Sequence, residues 1–261
     1  MRTPRGAPVT FTVRTDCSDG PLAYGTMSGP LGRGTDEYDL AARHLSGWAI
    51  DVGAHIGCVA IPLAIDNPDL RVLAVECLPP NVEMLRRNIE DNGLGDRVVA
   101  VEAAAGGPDE VSRTCWYGFG DHPDVDPGYL PAQRYIGNTW YEEAKAGRVS
   151  SLQVEMPVLG LEAMLDRWGI ADVAFLKIDA EGAEWAFLDT PAVARIETMM
   201  GEFHATYAGQ AADAVRRAPV HGPTGPIEDG PSEVRRLLAA THEVTFDSDD
   251  KWTGLFRAVR R

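Results

Sequence analysis

The apolar positions of the chain alternate between short continuous runs and segments with helical spacing. The first runs predict strands at 48–52, 71–76 and 97–102, with helices at 57–66 and 80–91 between them. Alternating strands and helices build parallel sheets with right-handed crossovers. We therefore expect an α/β fold with a doubly wound, mostly parallel sheet.

The same alternation returns in the second half of the chain. Further strands are predicted at 154–158, 173–178 and 195–203, and further helices at 160–168, 182–189, 209–217 and 231–240. The last two apolar runs, 242–247 and 252–259, lie on either side of the polar turn Asp247-Ser-Asp-Asp250. A turn of this kind predicts a C-terminal antiparallel hairpin.

Three segments interrupt the alternation. Residues 1–45, rich in glycine, proline and threonine, contain one helical candidate at 35–44 and are expected to form an N-terminal lid or edge segment. Residues 106–150 combine glycine and proline with many aromatic side chains, which argue against disorder. We expect this insertion to face the substrate, with a flap over the sheet edge or a homodimer contact as the alternative. The segment 219–231 is predicted to be a mobile loop.

Length, charge and cysteine content narrow the class of protein. A chain of 261 residues suits a single domain over 1–261, and its net charge of −15 opposes a nucleic-acid partner. No apolar run approaches the roughly 20 residues of a membrane span, and the N-terminus lacks an apolar signal segment. A cytoplasmic protein without a membrane partner is expected. The cysteines form no C-x-x-C pair and predict neither a zinc site nor a disulfide framework. They are Cys17, Cys58, Cys77 and Cys115.

A glycine-containing turn follows the first predicted strand, with the sequence Asp51-Val-Gly-Ala-His-Ile-Gly57. Gly53 and Gly57 allow backbone angles or close approaches that a side chain would block. The amide groups that open the next helix favour a carboxylate, such as that of a methionine moiety. The spacing differs from the G-x-G-x-x-G of dinucleotide sites, which disfavours a dehydrogenase. His55 is expected to shape this turn or to touch a cofactor.

Glu76 ends the apolar run of the second predicted strand, 25 residues after Asp51 (76 − 51). A carboxylate at the end of this strand can accept hydrogen bonds from both hydroxyls of a ribose. The alternative is an ordinary turn with a solvated acid. The combination of the glycine turn and this acid favours a nucleoside-binding site.

A second charged segment, Leu176-Lys-Ile-Asp-Ala-Glu-Gly-Ala-Glu184, follows a buried strand and opens a helix. Acids at a helix N-terminus are stabilised by the helix dipole. However, Asp179 and Glu181 fall where the ligand crevice of a doubly wound sheet is expected. We favour a functional role for Asp179 and leave the roles of Lys177 and Glu184 open.

The motifs D-V-G-A-H-I-G, V-E-C-L-P-P-N and L-K-I-D-A-E-G-A-E together resemble the FkbM family of S-adenosylmethionine (AdoMet)-dependent methyltransferases. The likeness covers roughly residues 48–204. It implies the class I methyltransferase (Rossmann-like) fold, AdoMet as cofactor and, usually, O-methylation in natural-product or glycan biosynthesis. The positions that it assigns to the cofactor are Asp51, Gly53, Ala54, His55, Gly57, Glu76, Cys77 and Asp179.

Methyl transfer to a hydroxyl requires removal of a proton. His204, at the end of a predicted strand, is the expected general base, with Asp179 and Glu181 beside the methyl-transfer site. A histidine packed against a neighbouring loop is the alternative. Asp179, Glu181, Glu202 and His204 could instead hold Mg²⁺, Mn²⁺ or Fe²⁺. Metal-free catalysis is favoured, because the helix dipole alone accounts for acids at this place.

The sequence therefore predicts an AdoMet-dependent methyltransferase that acts on a hydroxyl of a small natural-product or sugar-containing acceptor. One alternative is a non-catalytic module that binds AdoMet or a nucleotide within a biosynthetic assembly. The other is a metal-assisted methyltransferase that acts on a different acceptor atom.

Overall fold

The structure is a computed structural model. It describes residues 1–14, 19–20, 23, 36, 38–118, 151–205 and 221–261. These residues form a seven-stranded, mostly parallel sheet with helices on both faces, which confirms the predicted α/β class. Among them, no helix is both long and apolar enough to cross a membrane.

The first half of the described chain follows the predicted order of strands and helices. Its elements are β1 (Gly47–Val52), α1 (Ala60–Asp66), β2 (Leu70–Glu76), α2 (Pro79–Asp91), β3 (Val98–Glu102), β4 (Ala104–Ala105) and β5 (Ser112–Gly118). β1 and β2 are apolar along most of their length because both faces of the sheet are covered.

The second half supplies the remaining strands of the sheet. Its elements are β6 (Ser151–Leu159), α3 (Leu161–Arg167), β7 (Val173–Ile178), α4 (Glu184–Leu188), β8 (Ile196–His204), β9 (His221–Gly222), β10 (Gly225–Pro226), α5 (Gly230–Leu238), β11 (His242–Phe246) and β12 (Thr253–Arg260). β11 and β12 form the predicted antiparallel hairpin.

The strand order of the central sheet is β3-β2-β1-β7-β8-β12-β11. Within this sheet β3, β2, β1, β7 and β8 are parallel to one another, and β12 runs antiparallel to β8. This order is that of the class I methyltransferase fold. The direction of winding reverses between β1 and β7, and ligands of such sheets bind at the carboxyl ends of the strands beside the reversal.

Both faces of β7 are packed, which fixes the end of this strand. Leu176 belongs to the apolar cluster that contains Trp185 on α4. Its neighbour Phe175 belongs to the opposite cluster, with Ile61 on α1 and Leu85 on α2. Because successive side chains of a strand point to opposite faces, β7 is clamped between two cores, and the turn that follows it starts from a fixed point.

The structure corrects the sequence prediction at several irregular segments. Part of the insertion at 106–150 is strand β5, which pairs antiparallel with β6. The segment predicted as a loop at 219–231 contains the short β9–β10 hairpin. The helical candidate at 35–44 contributes a single 3₁₀ turn, Leu40–Ala42. The helix predicted at 209–217 and residues 119–150 lie outside the described residues.

The N-terminal residues 1–14 lie against α1 and α2. The Thr3 hydroxyl donates a hydrogen bond to Asp66 Oδ1 at 2.7 Å, and the Arg5 guanidinium donates to the carbonyl oxygen of Asp66 at 2.8 Å. Further along, the Thr12 amide donates to Asn88 Oδ1 at 2.7 Å. The chain is thereby led along the helices towards the carboxyl ends of the strands, and the predicted lid or edge role of this segment stays a prediction.

Candidate active site

The turns that follow β1 and β7 are in direct backbone contact. Gly53 has a φ of +74°, and a Cβ at this position would overlap the carbonyl oxygen of Asp179. The Asp179 amide donates to the carbonyl oxygen of Val52 at 3.1 Å. Gly53 is therefore required for the junction of the two turns as well as for any approach of a cofactor.

The rest of the glycine turn is held by its own neighbours. The amides of Gly53 and Ala54 both donate to the carbonyl oxygen of Val75 at 3.0 Å, which ties the turn to β2. Asp51 Oδ2 accepts a hydrogen bond from the amide of Ala60, the first residue of α1, at 3.0 Å. At Gly57, with a φ of +97°, a Cβ would lie 2.6 Å from the side chain of Ile61.

Glu76, at the end of β2, connects the glycine turn to the start of α2. Its Oε2 accepts a hydrogen bond from the His55 amide, and its Oε1 accepts one from the Leu78 amide, each at 2.8 Å. Burial raises the pKa of Glu76. The Asn81 side chain also donates to this carboxylate, which has about four acceptor sites in all, so a remaining site can accept a ribose hydroxyl. The predicted contact with ribose fits this position and stays a prediction.

Cys77 connects this region to the small sheet of β4, β5 and β6. Its thiol interacts with that of Cys115 on β5, and this interaction, together with burial, raises the pKa of Cys77. Cys115 is buried. The sequence alone does not associate these two cysteines, because their contact depends on the pairing of β5, which was not predicted.

Lys177 is a buried lysine on β7 whose role the sequence left open. Its Nζ donates to the carbonyl oxygens of Gly53 at 2.9 Å and Val52 at 3.2 Å. The same nitrogen lies 3.5 Å from Asp51 Oδ1 and 3.8 Å from Asp179 Oδ2. Burial opposes the charged form, but the surrounding carboxylates outweigh it and raise the pKa of Lys177. Lys177 therefore stays charged and binds the ends of β1 and β7 together.

The segment before β1 also reaches the glycine turn. Asp19 is fully buried, forms an ion pair with Arg14 at 2.7 Å, and lies 3.6 Å from His55 Nε2. Burial lowers the pKa of His55 to about 4, so its imidazole is neutral at physiological pH. A neutral ring offers little acid–base chemistry near pH 7, and the expected role of His55 in shaping the turn or touching a cofactor stays a prediction.

Tyr38 reaches the second turn from the same N-terminal segment. Its hydroxyl donates to Asp179 Oδ2 at 3.4 Å, and its ring centre lies 5.5 Å from Lys177 Nζ. A cation over an aromatic face is attracted by the ring quadrupole. Tyr38 and Asp19 were not predicted as site residues, because they come before the first predicted strand and lie outside the strand-end motifs that indicated the site.

The acid–histidine cluster, which consists of Asp179, Glu181, Glu202 and His204, lies at the carboxyl ends of β7 and β8. His204 Nε2 lies 3.6 Å from Glu181 Oε2 and 3.6 Å from Glu202 Oε1. One ligand atom from each of Asp179, Glu181 and His204 lies within 4.8 Å of the other two. Because β7 and β8 are parallel neighbours, their ends bring together four residues that are distant in sequence.

Glu184 orients His204 from behind this cluster. Its Oε1 accepts the His204 amide at 2.7 Å and lies 3.2 Å from His204 Nδ1, while its Oε2 accepts the Gly182 amide at 2.9 Å. Trp185 Nε1 donates to the His204 carbonyl oxygen at 2.8 Å. Glu184, whose role the sequence left open, thus directs Nδ1 of His204 inward and Nε2 towards Glu181.

The charges around His204 change its expected chemistry. Burial opposes its charged form, but Glu184 and Glu181 outweigh burial and raise the pKa of His204 well above its usual value. Burial raises the pKa of Glu181 to about 7. A general base must be unprotonated, so His204 has to lose this proton before it can act as the base, and its predicted role stays a prediction. Glu181 is the member of the pair that can change its proton near neutral pH.

Similarity to known proteins agrees with this geometry. A sequence profile of the methyltransferase FkbM domain matches residues 51–240. Over 56 residues the chain is 39% identical to the release factor glutamine methyltransferase of Chlorobaculum tepidum. That alignment covers 22% of this chain and 19% of the relative, so the chain spans about a fifth of the relative's length.

Solved structures of methyltransferases also resemble the chain. The precorrin-6y C5,15-methyltransferase of Geobacter metallireducens GS-15 has a TM-score of 0.46 and 11% identity, with 100% of both chains covered. The human methyltransferase 10 domain containing protein has a TM-score of 0.44 and 13% identity, with 97% of this chain and 88% of that chain covered. At these scores the fold assignment depends on the strand order of the chain itself.

The matched residues include every motif of the site. They begin at Asp51 and continue through the glycine turn, Glu76 and the acid–histidine cluster to the end of α5. The match covers well over half of the chain, and the strand order is the one that the family's fold requires. The chain belongs to the FkbM family of AdoMet-dependent methyltransferases.

Proposed function

We propose that the protein transfers the methyl group of AdoMet to a hydroxyl oxygen of a small natural-product or sugar-containing acceptor. The observation that carries this proposal is the position of the acid–histidine cluster. It lies beside the glycine turn, at the strand ends where ligands of this fold bind. A hydroxyl acceptor needs a group that takes its proton, and the cluster supplies such groups.

The residues around the glycine turn fit the chemistry of AdoMet. When bound, AdoMet supplies an electrophilic methyl group and a good leaving group. Glu76 offers acceptor sites for ribose hydroxyls at the end of β2. Because Gly53 has no side chain, the turns after β1 and β7 lie close together at this point. The three carboxylates of Asp51, Glu76 and Asp179 carry more negative charge than the single positive charge of Lys177 offsets. This excess of negative charge suits a cofactor with a net positive charge.

Glu181 is proposed to take the proton of the acceptor hydroxyl. Its side chain is 23% exposed, so it can meet an acceptor in the crevice. Its pKa of about 7 gives a carboxylate that is more basic than an ordinary one and is still available at neutral pH. His204, held in its charged form by Glu184, stabilises the Glu181 carboxylate before the transfer.

The test is a screen for methyl uptake. The purified chain is incubated with methyl-labelled AdoMet and with hydroxylated sugars and natural products, and each labelled product is assigned by nuclear magnetic resonance (NMR). We expect label on a hydroxyl oxygen of at least one small acceptor. AdoMet binding without turnover on any acceptor would support the non-catalytic module, and label on nitrogen or carbon would contradict O-methylation.

A further inference from the structure

We propose that Asp179, Glu181 and His204 form a binding site for one divalent cation of the Mg²⁺ and Mn²⁺ class. This inference rests on the proposed function, because the ion would bind and orient the acceptor hydroxyl. The three ligand atoms lie within 4.8 Å of one another. Ligands about 2.1 Å from an octahedral ion are about 3.0 Å apart when adjacent and about 4.2 Å apart when opposite. Small side-chain movements therefore suffice to coordinate an ion.

The orientation of His204 is a separate observation that points to a metal. Histidines that bind metals usually donate their other ring N–H to a carboxylate, which fixes the tautomer. Glu184 is only 1% exposed, is not one of the three ligands, and lies 3.2 Å from His204 Nδ1. Nε2 is consequently the ring nitrogen that faces Glu181, at 3.6 Å. A cation that binds Nε2 displaces the proton that this nitrogen carries in the metal-free protein, and the Nδ1 contact with Glu184 already holds the ring in the orientation of a metal-binding histidine.

The charge balance also favours a cation. The acid–histidine cluster contains three carboxylates, and Glu184 adds a fourth beside His204. Of the described cations next to them, Lys177 already donates to the carbonyl oxygens of Val52 and Gly53. Two neutral hydroxyls of the described residues also contact the cluster: Tyr38 donates to Asp179, and Thr253 donates to Glu202. Carboxylates gathered in a partly buried place are usually paired with cations or coordinated to metals.

The donor set suits a hard cation and leaves room for the acceptor. The two carboxylates suit Mg²⁺ or Mn²⁺, whereas the imidazole is a ligand more typical of Fe, Ni, Cu and Zn, so Mn²⁺ is the more suitable of the two hard cations. The side chains of Asp179 and Glu181 are 29% and 23% exposed, so the site opens to the crevice. Three protein ligands leave about three positions of an octahedron for water or for acceptor oxygens. A hydroxyl bound there would be more acidic.

The first test measures Mn²⁺ binding directly. The full chain is stripped of metal by chelation and titrated with Mn²⁺ in the presence of S-adenosylhomocysteine, with free Mn²⁺ followed by electron paramagnetic resonance. We expect one Mn²⁺ per chain, with affinity at least about 10-fold weaker in Glu181→Gln and His204→Gln. The matched control is Glu102→Gln, which removes a strand-end acid paired with Arg86 at the edge of the same sheet and should leave Mn²⁺ affinity unchanged.

The outcomes separate this inference from the proposed function. Absence of Mn²⁺ binding by the original chain, or equal Mn²⁺ affinity in Glu181→Gln and His204→Gln, would overturn the metal site. Calorimetry with S-adenosylhomocysteine on the same samples tests the cofactor site independently. Failure to bind S-adenosylhomocysteine would contradict the proposed function, whereas its binding without Mn²⁺ would contradict the metal site alone.

A second measurement needs no substitution. His204 ends β8, whereas His242 Nε2 lies 2.9 Å from the carbonyl oxygen of Ile196, which begins β8. Eight residues at about 3.3 Å per residue place the two imidazoles about 26 Å apart. We expect the NMR signal of His204 to broaden at much lower Mn²⁺ than that of His242. Equal broadening of the two signals would overturn the proposed site.

Discussion

The backbone of Gly53 lies against the carbonyl oxygen of Asp179, so closely that a Cβ at residue 53 would overlap that oxygen. This contact joins the turn assigned to the cofactor with the turn that carries part of the acid–histidine cluster. A change at either turn is therefore transmitted to the other.

Gly53→Ala should destabilise the fold and weaken AdoMet binding together, because the new methyl group separates the two turns. Gly93→Ala is the matched control: Gly93 has a similar φ of +65°, but a Cβ there meets nothing within 4 Å. Left-handed strain alone costs roughly 1–2 kcal/mol. Urea unfolding should show a larger loss for Gly53→Ala, and equal losses would contradict the role of the overlap.

Lys177→Met should lower the free energy of unfolding by about 3–5 kcal/mol, because it leaves buried carboxylates without their cation. Adding Asp51→Asn should recover part of this loss, since the Asn carbonyl can still accept the Ala60 amide. The control Lys251→Met removes a lysine that is 65% exposed and should have a small effect. Urea unfolding measures all four chains, and an unchanged Lys177→Met would contradict the electrostatic role of this lysine.

Glu76→Ala should weaken AdoMet binding by about 1.5–3 kcal/mol, the range for hydrogen bonds to a charged group. The structure adds a loss of stability, because the amides of His55 and Leu78 lose their acceptor. Calorimetry with AdoMet and urea unfolding measure the two effects. Unchanged affinity would show that the ribose does not bind Glu76.

His55 should make the protein less stable in acid. Its pKa in the folded state is about 4, below the ordinary value of 6.5, so the unfolded chain binds the proton more readily. The stability contributed by the neutral ring is complete above about pH 6.5 and is lost as the pH falls towards 4, by about 2–3 kcal/mol. His55→Asn tolerates the left-handed φ of 51° and does not titrate. Unfolding curves of the two chains should diverge over this pH range, and parallel curves would contradict the burial of His55.

Glu181→Gln should reduce turnover by about 10²–10⁴-fold while S-adenosylhomocysteine affinity stays close to that of the original chain. The amide keeps the size of the side chain and removes its ability to take a proton or bind a cation. Glu102→Gln should keep full activity, since Glu102 pairs with Arg86 away from the cluster. Single-turnover kinetics with an identified acceptor provide the measurement. Retained turnover in Glu181→Gln would show that a group other than Glu181 accepts the proton.

The sequence predicted the parts of the fold and site that depend on local pattern. Apolar runs located β1, β2 and β7, and the acids that follow them were expected at the carboxyl edge of the sheet. Strand alternation also implied that Asp179 and His204 end neighbouring strands. Local patterns carry this information because a buried parallel strand is apolar along its whole length.

Contacts that depend on the register of distant strands were not predictable. The partners of Lys177 lie at the end of β1, more than a hundred residues earlier in the sequence. Their contact with Lys177 follows from the register of β1 and β7, in which Asp51 lies opposite Lys177. β5 was missed because it lies in a segment whose glycine and proline content resembles that of a loop. Tyr38 reaches Asp179 from the N-terminal segment before β1, where no strand-end motif indicated a contact with the site.

Glu184, described above as the group that orients His204, divides the active site into two parts with different freedom to evolve. Glu184 is 1% exposed, and its carboxylate accepts hydrogen bonds from the amide of Gly182 in the turn after β7 and from the amide of His204 on β8. Substitution of Glu184 would therefore disturb both places. Glu181 and Glu202 are 23% and 33% exposed. Natural variation at Glu202, which is neither the proposed proton acceptor nor one of the three proposed metal ligands, can alter acceptor preference at little cost in stability, and divergence among relatives should concentrate there rather than at Glu181.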